Sequence, residues 1–281
     1  MSEISITCLI ENRAPERLAA EHGLCVHISF MGHSILLDTG ASGAFAENAE
    51  KLGVDLAAVE VAALSHAHYD HSGGYEAFFA ANDRAEVYLR AEGRQRCYGV
   101  SGPEPRYIGI PDGILEKHAA RFVFVNEKTQ LLPGVFLLGH STPGLESRGA
   151  AAHMCRESGN GLIPDDFAHE QSLIFDTSRG LVVINSCCHA GADTVAREAL
   201  EAFPGRRLCM LIGGFHLMGS TGADSMGPTE AEVIALARRL EALGAETIYT
   251  GHCTGTPAYE ILERTLPGRV KYFCTGTTAG F

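Results

Sequence analysis

The chain has 281 residues and a formal net charge of −12, from 22 basic and 34 acidic side chains. That acidic balance argues against a nucleic-acid partner, because the phosphate backbone requires a basic protein surface. The nine cysteines are odd in number and include no C-x-x-C pair, which favours reduced thiols in a cytoplasmic protein over a disulfide framework.

The N-terminal part of the chain alternates strand-like and helix-like segments. Residues 1–10 lack the basic start of a signal peptide, and no run approaches the roughly 18 apolar residues that span a bilayer, so we expect no membrane partner. A first helix could begin at Pro15, with Leu18, Ala19 and Ala20 following. The other patterns predict strands over 4–10, 24–30, 34–37 and 61–64 and helices over 44–52 and 75–81.

Two central segments, 92–120 and 141–168, are rich in proline and glycine and show little periodicity. Loops of this length in a compact domain are usually functional, so we expect these segments to line a substrate cleft. Poorly ordered insertions are the alternative interpretation.

Regular alternation returns in the last third of the chain. The patterns predict strands over 172–175, 181–185, 208–212, 246–250 and 269–274 and helices over 194–203, 229–243 and 258–266. Strand-rich halves with a few amphipathic helices predict an α/β or α+β fold in which two sheets pack together with helices outside. We expect one domain over residues 1–281.

Four side chains that can bind a metal follow the apolar run 61–64 directly: His66, His68, Asp70 and His71. In an extended segment, residues two apart point the same way, so His66 and His68 can hold one ion together. Asp70 and His71 lie past a turn and can face a second ion. Imidazole and carboxylate ligands favour zinc, manganese or iron over copper(I).

This H-x-H-x-D-H pattern after an apolar strand resembles the metal-binding signature of the metallo-β-lactamase superfamily. Further segments occur in the order typical of one branch, the proteins related to 7,8-dihydropterin-6-methyl-4-(β-D-ribofuranosyl)aminobenzene 5'-phosphate synthase: 21–24, 37–40, 48–49, 65–74, 188–191, 213–217 and 251–255. The resemblance implies a four-layer αββα sandwich and a dinuclear site for two divalent metal ions, with zinc favoured over manganese or iron.

The resemblance also implies metal ligands outside the first cluster. His252 follows a predicted strand, where the superfamily places its last metal histidine. His189 matches the histidine of a Gly-Cys-x-His pattern in the branch, with Cys187 as a second candidate. Superfamily members often carry a bridging aspartate here, and this chain has none.

One ligand position stays open among His140, Asp166 and Cys187. His140 lies in a Gly-His-Ser-Thr-Pro-Gly segment that resembles the Gly-His-Thr-Pro-Gly of superfamily hydrolases with one residue inserted. Asp166 leads into the strand that precedes Cys187.

Four further residues are candidates for contacting substrate or supporting the ligands: Asp38, His216, Glu21 and His22. A carboxylate commonly accepts the second ring N–H of a ligating histidine, and Asp38 ends a predicted strand where it could do so. Alternatively, Asp38 caps the turn at Gly40. For the other three, a purely structural role is the alternative.

The favoured function is a metal-dependent hydrolase in which a metal-bound hydroxide attacks an ester, lactone, thioester or phosphoester of a small-molecule substrate. The catalytic residue would be Asp70, which would orient the hydroxide or accept a proton. The branch resemblance implies an alternative, a transferase that joins a pterin pyrophosphate to an aminobenzene ribosyl phosphate. Arginines in or near the irregular segments could bind such an anion: Arg90, Arg94, Arg96, Arg106 and Arg148. A metal or ligand sensor, or a redox protein on the same scaffold, is the third hypothesis.

Overall fold

The central strands are apolar along their whole length. The structure, a computed structural model, describes residues 2–159 and 161–281. In strand β14 (Gly180–Ile184), Leu181 and Val183 pack toward helices, whereas Val182 and Ile184 pack toward another sheet. A strand that is buried on both faces needs no polar side, so its sequence is a continuous apolar run.

Among the residues that the structure describes, two seven-stranded mixed sheets form the centre of the fold. The first has the spatial order β20 (Thr278–Gly280), β1 (Ile4–Ile10), β2 (Cys25–Phe30), β3 (His33–Leu37), β4 (Val61–Ala63), β5 (Glu86–Arg90) and β8 (Phe122–Val125). The second has the order β19 (Val270–Tyr272), β18 (Thr247–Thr250), β15 (Leu208–Gly213), β14, β13 (Gln171–Thr177), β10 (Val135–Gly139) and β9 (Thr129–Leu132).

Smaller sheets and the helices complete the secondary structure. One small sheet has the order β12 (Gly161–Pro164), β11 (Met154–Ser158), β6 (Cys97–Gly99) and β7 (Arg106–Tyr107), and β16 (Met218–Gly219) pairs with β17 (Gly222–Met226). The helices are α1 (Ala44–Leu52), α2 (Tyr69–Ser72), α3 (Tyr75–Ala81), α4 (Ile114–Lys117), α5 (Glu146–Ala151), α6 (Ala192–Ala202), α7 (Glu230–Ala242) and α8 (Thr256–Thr265). No helix in the described ranges combines the length and the apolar character needed to cross a membrane.

Clusters of buried apolar side chains show how the layers stack. One cluster lies between the large sheets and includes Ile28 of the first and Phe175 of the second. Another packs Phe45 of α1 and Phe78 of α3 onto the outer face of the first sheet. A further cluster packs α6, α7 and α8 onto the outer face of the second sheet. The predicted four-layer αββα sandwich is confirmed.

One prediction about local structure is wrong. Residues 11–24 adopt turns and bends instead of a helix after Pro15, because the Asn48 side chain binds both the N–H and the carbonyl of Ala19 and holds this loop in place. The segments 92–120 and 141–168 supply the short strands β6, β7, β11 and β12 of the small sheet, and their lining of a substrate cleft stays a prediction. These strands are two to five residues long, too short to show a period of two.

The parallel strands bring distant residues to one edge of the fold. In the first sheet β3 and β4 run parallel, and in the second β14, β15 and β18 run parallel. The loops that leave the carboxyl ends of these strands carry Asp38, the cluster from His66 to His71, His189, His216 and His252. Ligand sites in α/β sheets form at such ends.

Candidate metal centre

The H-x-H-x-D-H segment leaves β4 through a bend at residues 65–67 and then enters the one-turn helix α2. His68 is the last extended residue, and Asp70 and His71 lie within the helical turn, so the two pairs face different directions. His66, His68 and His71 are buried. Gly74 permits this packing, because a Cβ there would lie 2.2 Å from the carbonyl oxygen of Thr39.

A first group of nitrogens comes from His66, His68 and His189, whose candidate ligand atoms all lie within 4.8 Å of one another. His66 Nε2, His68 Nε2 and both ring nitrogens of His189 are buried and have no hydrogen-bond partner among the described residues. Burial lowers the pKa of His66 and His189 well below the usual value, and burial together with His169 lowers the pKa of His68 to about 3. Neutral, unpartnered imidazoles are what a metal ion requires.

A second group surrounds Asp70. Its Oδ2 lies 3.4 Å from the Nε2 atoms of His71, His252 and His22. The Nε2 of His71 lies 3.3 Å from that of His252 and 3.3 Å from the sulfur of Cys187. Ligand atoms held tetrahedrally about 2.1 Å from an ion lie about 3.4 Å from one another, so these residues fit a bound divalent metal.

The charges in the second group also suit a cation. Burial lowers the pKa of His71, but the neighbouring carboxylates of Asp70 and Asp38 outweigh it and raise that pKa to about 10. The same surroundings keep the pKa of Asp70 well below normal despite its burial, chiefly through His71. The carboxylates of Asp70 and Asp38 therefore favour positive charge at this position, as a divalent ion would supply.

Asp38 connects the two groups. Its Oδ2 lies 2.8 Å from His71 Nδ1 and accepts a hydrogen bond of 2.7 Å from the hydroxyl of Ser65, which lies 2.8 Å from His66 Nδ1. Its Oδ1 accepts a further bond of 2.7 Å from the Ser65 backbone N–H. These contacts orient His71 and His66 so that each Nε2 faces the centre, the arrangement by which outer carboxylates fix metal-binding histidines.

The loop after β1 supports His252, and sequence reasoning missed it. Asn12 Oδ1 lies 3.0 Å from His252 Nδ1, and the buried Glu11 carboxylate accepts the His252 backbone N–H. Asn12 Nδ2 lies 3.4 Å from His22 Nδ1. The available signal was a polar triplet, Glu11-Asn12-Arg13, immediately after an apolar strand, the same placement as that of the histidines.

The structure distinguishes the three candidates for the open position. Cys187 lies in the second group, as described above. Asp166 instead pairs with Arg156, at 2.7 Å. His140 lies outside the centre, with Nδ1 2.7 Å from Glu198 and Nε2 2.5 Å from Glu170.

His140 belongs to a buried clamp that sequence reasoning did not identify. Glu170 accepts hydrogen bonds from the backbone N–H groups of His189, at 2.8 Å, and Ala190, at 3.2 Å. Burial lowers the pKa of His140, but Glu170 and Glu198 outweigh it and raise that pKa to about 9. The clamp thus fixes the loop that presents His189.

The remaining predicted residues have different surroundings. His22, 47% exposed in its side chain, stands at the mouth of the centre, and burial and His252 lower its pKa to about 4. The His216 ring lies 4.5 Å from the His189 ring. Glu21 contacts no candidate ligand among the described residues and instead accepts hydrogen bonds from Ala41 and Ser42.

A buried histidine that the sequence did not single out supports the turn between His66 and His68. His169 Nδ1 accepts a hydrogen bond of 3.1 Å from the Ala67 backbone N–H, and its Nε2 lies 3.1 Å from Asp165. Both ring nitrogens are therefore engaged, and the residue holds the loop in place.

Backbone strain is concentrated in these loops. Of the seven non-glycine residues with positive φ in the described ranges, five lie in loops that carry or support the centre: Asp38, Phe167, Cys188, His216 and His252. Such conformations persist where the surroundings impose them, and they cluster at functional sites.

The five arginines separate into two kinds. Arg90 binds the Ala168 carbonyl, Arg94 stacks on Phe124 and Arg96 pairs with Asp112. Arg106 lies 5.9 Å from the centre of the Tyr69 ring, next to the second group. The Arg148 guanidinium lies beside Gly191, next to the loop of His189. Neither Arg106 nor Arg148 forms an ion pair with a described residue.

Comparisons with known proteins show what the chain and its fold are similar to. A family model described as the metallo-beta-lactamase superfamily matches residues 22–252. Tm1679, a metal-dependent hydrolase of the beta-lactamase superfamily, is similar in its crystal structure, with 30% identity, 99% of each chain covered and a TM-score of 0.83. Zn²⁺-bound PqqB from Methylobacterium extorquens shares the fold alone, with 13% identity, coverage of 99% of this chain and 100% of that one, and a TM-score of 0.59.

A relative of known activity is also similar. The 7,8-dihydropterin-6-methyl-4-(beta-D-ribofuranosyl)-aminobenzene-5'-phosphate synthase of Methanocaldococcus jannaschii is 26% identical over 258 residues, which cover 85% of this chain and 83% of that protein. This likeness agrees with the branch that the sequence motifs indicate.

Proposed function

Because the chain belongs to the metallo-beta-lactamase superfamily, we propose that it is a metal-dependent hydrolase with a dinuclear centre, acting on an ester, lactone, thioester or phosphoester. The observation that carries the proposal is the second group, where Asp70, His71 and His252 present ligand atoms 3.3–3.4 Å apart. That spacing matches the one expected around an ion.

The proposed ligands divide between two positions. His66, His68 and His189 would hold the first ion, and Asp70, His71 and His252 would hold the second, where Cys187 adds a sulfur. When bound, two such ions polarise a substrate oxygen and lower the pKa of a water toward neutrality.

The chain's own residues have roles that their contacts support. Asp38 holds the Nδ1 side of His71, so that Nε2 faces the second position. Asp70 is placed to orient the attacking water or to take its proton, since Asp70 and the exposed His22 stand together at the mouth. His216, against the His189 ring, is placed to contact substrate next to the first position.

A second candidate function is a transferase that joins a pterin pyrophosphate to an aminobenzene ribosyl phosphate. The methanogen relative supports it, and so do Arg106 and Arg148, which could bind the phosphates of an anionic substrate. In this reading the same two metal positions would bind the departing pyrophosphate.

Elemental analysis of the purified protein, followed by an activity panel, tests the proposal. We expect about two zinc, manganese or iron ions per chain and metal-dependent hydrolysis of at least one substrate among bis(p-nitrophenyl) phosphate, p-nitrophenyl acetate, a homoserine lactone and an acyl thioester. Pyrophosphate release from the pterin and aminobenzene substrates would instead favour the transferase. Full metal content in both His68→Ala and Asp70→Ala would contradict the dinuclear centre.

A further inference from the structure

Two cysteine sulfurs meet at the second metal position. Cys187 follows β14 and Cys253 follows β18, and their Sγ atoms lie 3.4 Å apart. Both side chains are buried, and each of the nine cysteines, all of them in the described ranges, carries a free thiol. Gly214 leaves room for the pair, because a Cβ there would lie 2.4 Å from the Cys253 sulfur.

The two cysteines lie next to the proposed ligands of the second metal position. The Cys187 sulfur lies 3.3 Å from His71 Nε2, and the candidate ligand atoms of Cys187, Cys253 and His252 lie within 4.8 Å of one another. A thiolate there can bind an ion, whereas a disulfide sulfur is a poor ligand. Joining the two sulfurs would therefore remove a donor from the second position.

We propose that Cys187 and Cys253 form an oxidation site, at which a disulfide forms in the metal-free protein and prevents the second position from holding an ion. The part that concerns the ion rests on the proposed function, whereas formation of the disulfide does not. A bound ion would protect the pair by engaging the Cys187 sulfur.

The oxidant in this proposal is a hydroperoxide. One thiolate sulfur attacks a peroxide oxygen, the O–O bond breaks, and one water leaves a sulfenic acid on that cysteine. The second sulfur then attacks the sulfenic sulfur, the S–O bond breaks and a second water departs. Two thiols are oxidised by two electrons in total, and one hydrogen peroxide is reduced to two waters.

The first measurement compares metal-free and metal-loaded protein treated with hydrogen peroxide. In metal-free protein we expect free thiols, counted after denaturation, to fall from nine to seven, with a mass loss of about 2 Da. The tryptic peptides 180–197 and 240–264 should then be joined, and dithiothreitol should separate them. Metal-loaded protein should oxidise at least about tenfold more slowly.

Three variants identify the two cysteines that form the cross-link. Cys188→Ser is the matched control, because Cys188 shares a peptide with Cys187 but directs its sulfur to the Asn185 carbonyl, and it should leave the cross-link intact. Cys187→Ala and Cys253→Ala should each abolish the cross-link.

Two results would overturn the inference. One is a cross-link that persists in Cys253→Ala or involves other cysteines, and the other is an oxidised wild-type protein that takes up as much metal as the reduced protein. The metal content of the untreated, reduced protein tests the proposed function separately. If the reduced protein holds no metal but still forms the cross-link, the dinuclear centre is contradicted and the proposed oxidation site stands.

Discussion

The two halves of the candidate metal centre are built differently. The first position consists of three neutral histidines, His66, His68 and His189, and the nitrogens of His189 touch no other described polar atom. The second position contains the charged Asp70, and its ligand atoms already stand 3.3–3.4 Å apart.

The difference extends to the surrounding residues. In the second position side-chain bonds orient the rings themselves, from Asp38 to His71 and from Asn12 to His252. In the first position the Ser65 hydroxyl orients His66, whereas His189 is fixed through its backbone N–H, by Glu170. Because a negative carboxylate and oriented rings both favour a cation, we expect the second position to bind its ion more tightly.

Asp70→Asn should have the largest effect. The change keeps the shape of the side chain and removes the charge that faces His71, His252 and His22, so we expect the metal content to fall from about two ions to about one per chain and hydrolysis to fall at least about a thousandfold. Elemental analysis and the activity panel measure both.

Asp166→Asn is the matched control for that variant. Asp166 is a candidate ligand by sequence, but it pairs with Arg156 away from the centre, so its loss should leave the metal content unchanged. Equal metal loss in the two variants would mean that the second position is not built around Asp70.

Asp38→Asn should have the next largest effect. The substitution removes the charge next to His71, and loss of an outer partner of a metal-binding histidine typically weakens metal affinity about 10–100-fold. Asn12→Ala, which removes only a neutral contact to His252, should weaken it less. Competition with a chromophoric chelator measures both affinities, and an Asn12→Ala effect larger than that of Asp38→Asn would refute the ranking.

The sequence predicts those site residues that follow directly on an apolar strand. His66, His68, Asp70 and His71 are presented by one strand end, and the His189 and His252 loops each follow an apolar strand, so their meeting at one edge follows from parallel pairing. The central strands and long helices were predictable for the same reason, because burial imposes their periodicity.

The missed features depend on contacts between distant parts of the chain. Asn12 reaches His252 across 240 positions, and no local pattern reports such a pair. The likeness of the His140 segment to a metal-binding loop was misleading, because Glu170 and Glu198 surround that ring and supply the charge that a metal would have supplied. The same carboxylates hold the His189 loop, so a residue that resembles a ligand supports one instead.

His140→Gln tests the clamp behind the first position, and its effect should depend on pH. Since the folded pKa of His140 is raised to about 9, its stabilising contribution is complete below the unfolded value of about 6.5 and is lost as the pH rises through 9. We expect the variant to lower the free energy of unfolding by roughly 2–3 kcal/mol at pH 6 and by much less near pH 10.

Urea unfolding of wild type and His140→Gln at several pH values gives that difference directly, because ionisations shared by the two proteins cancel. Arg156→Gln, which removes a half-buried pair elsewhere, should produce a difference that does not depend on pH, because both groups stay charged from pH 6 to pH 10. A large difference that stays constant from pH 6 to pH 10 would show that the His140 charge does not stabilise the clamp.

Arg148→Ala and Arg106→Ala should have the smallest effects. Together they test which of the two metal positions lies next to the anionic group of the substrate. Arg148 stands beside the His189 loop of the first position, and Arg106 beside Tyr69 of the second. Because Arg106 and Arg148 are both exposed residues, losing the one that binds a phosphate should raise the KM for a phosphoester about fivefold with kcat unchanged. Arg96→Ala is the control, since Arg96 is paired with Asp112. An equal rise in KM for an uncharged ester would exclude charge recognition, because only an anion distinguishes these arginines from neutral side chains.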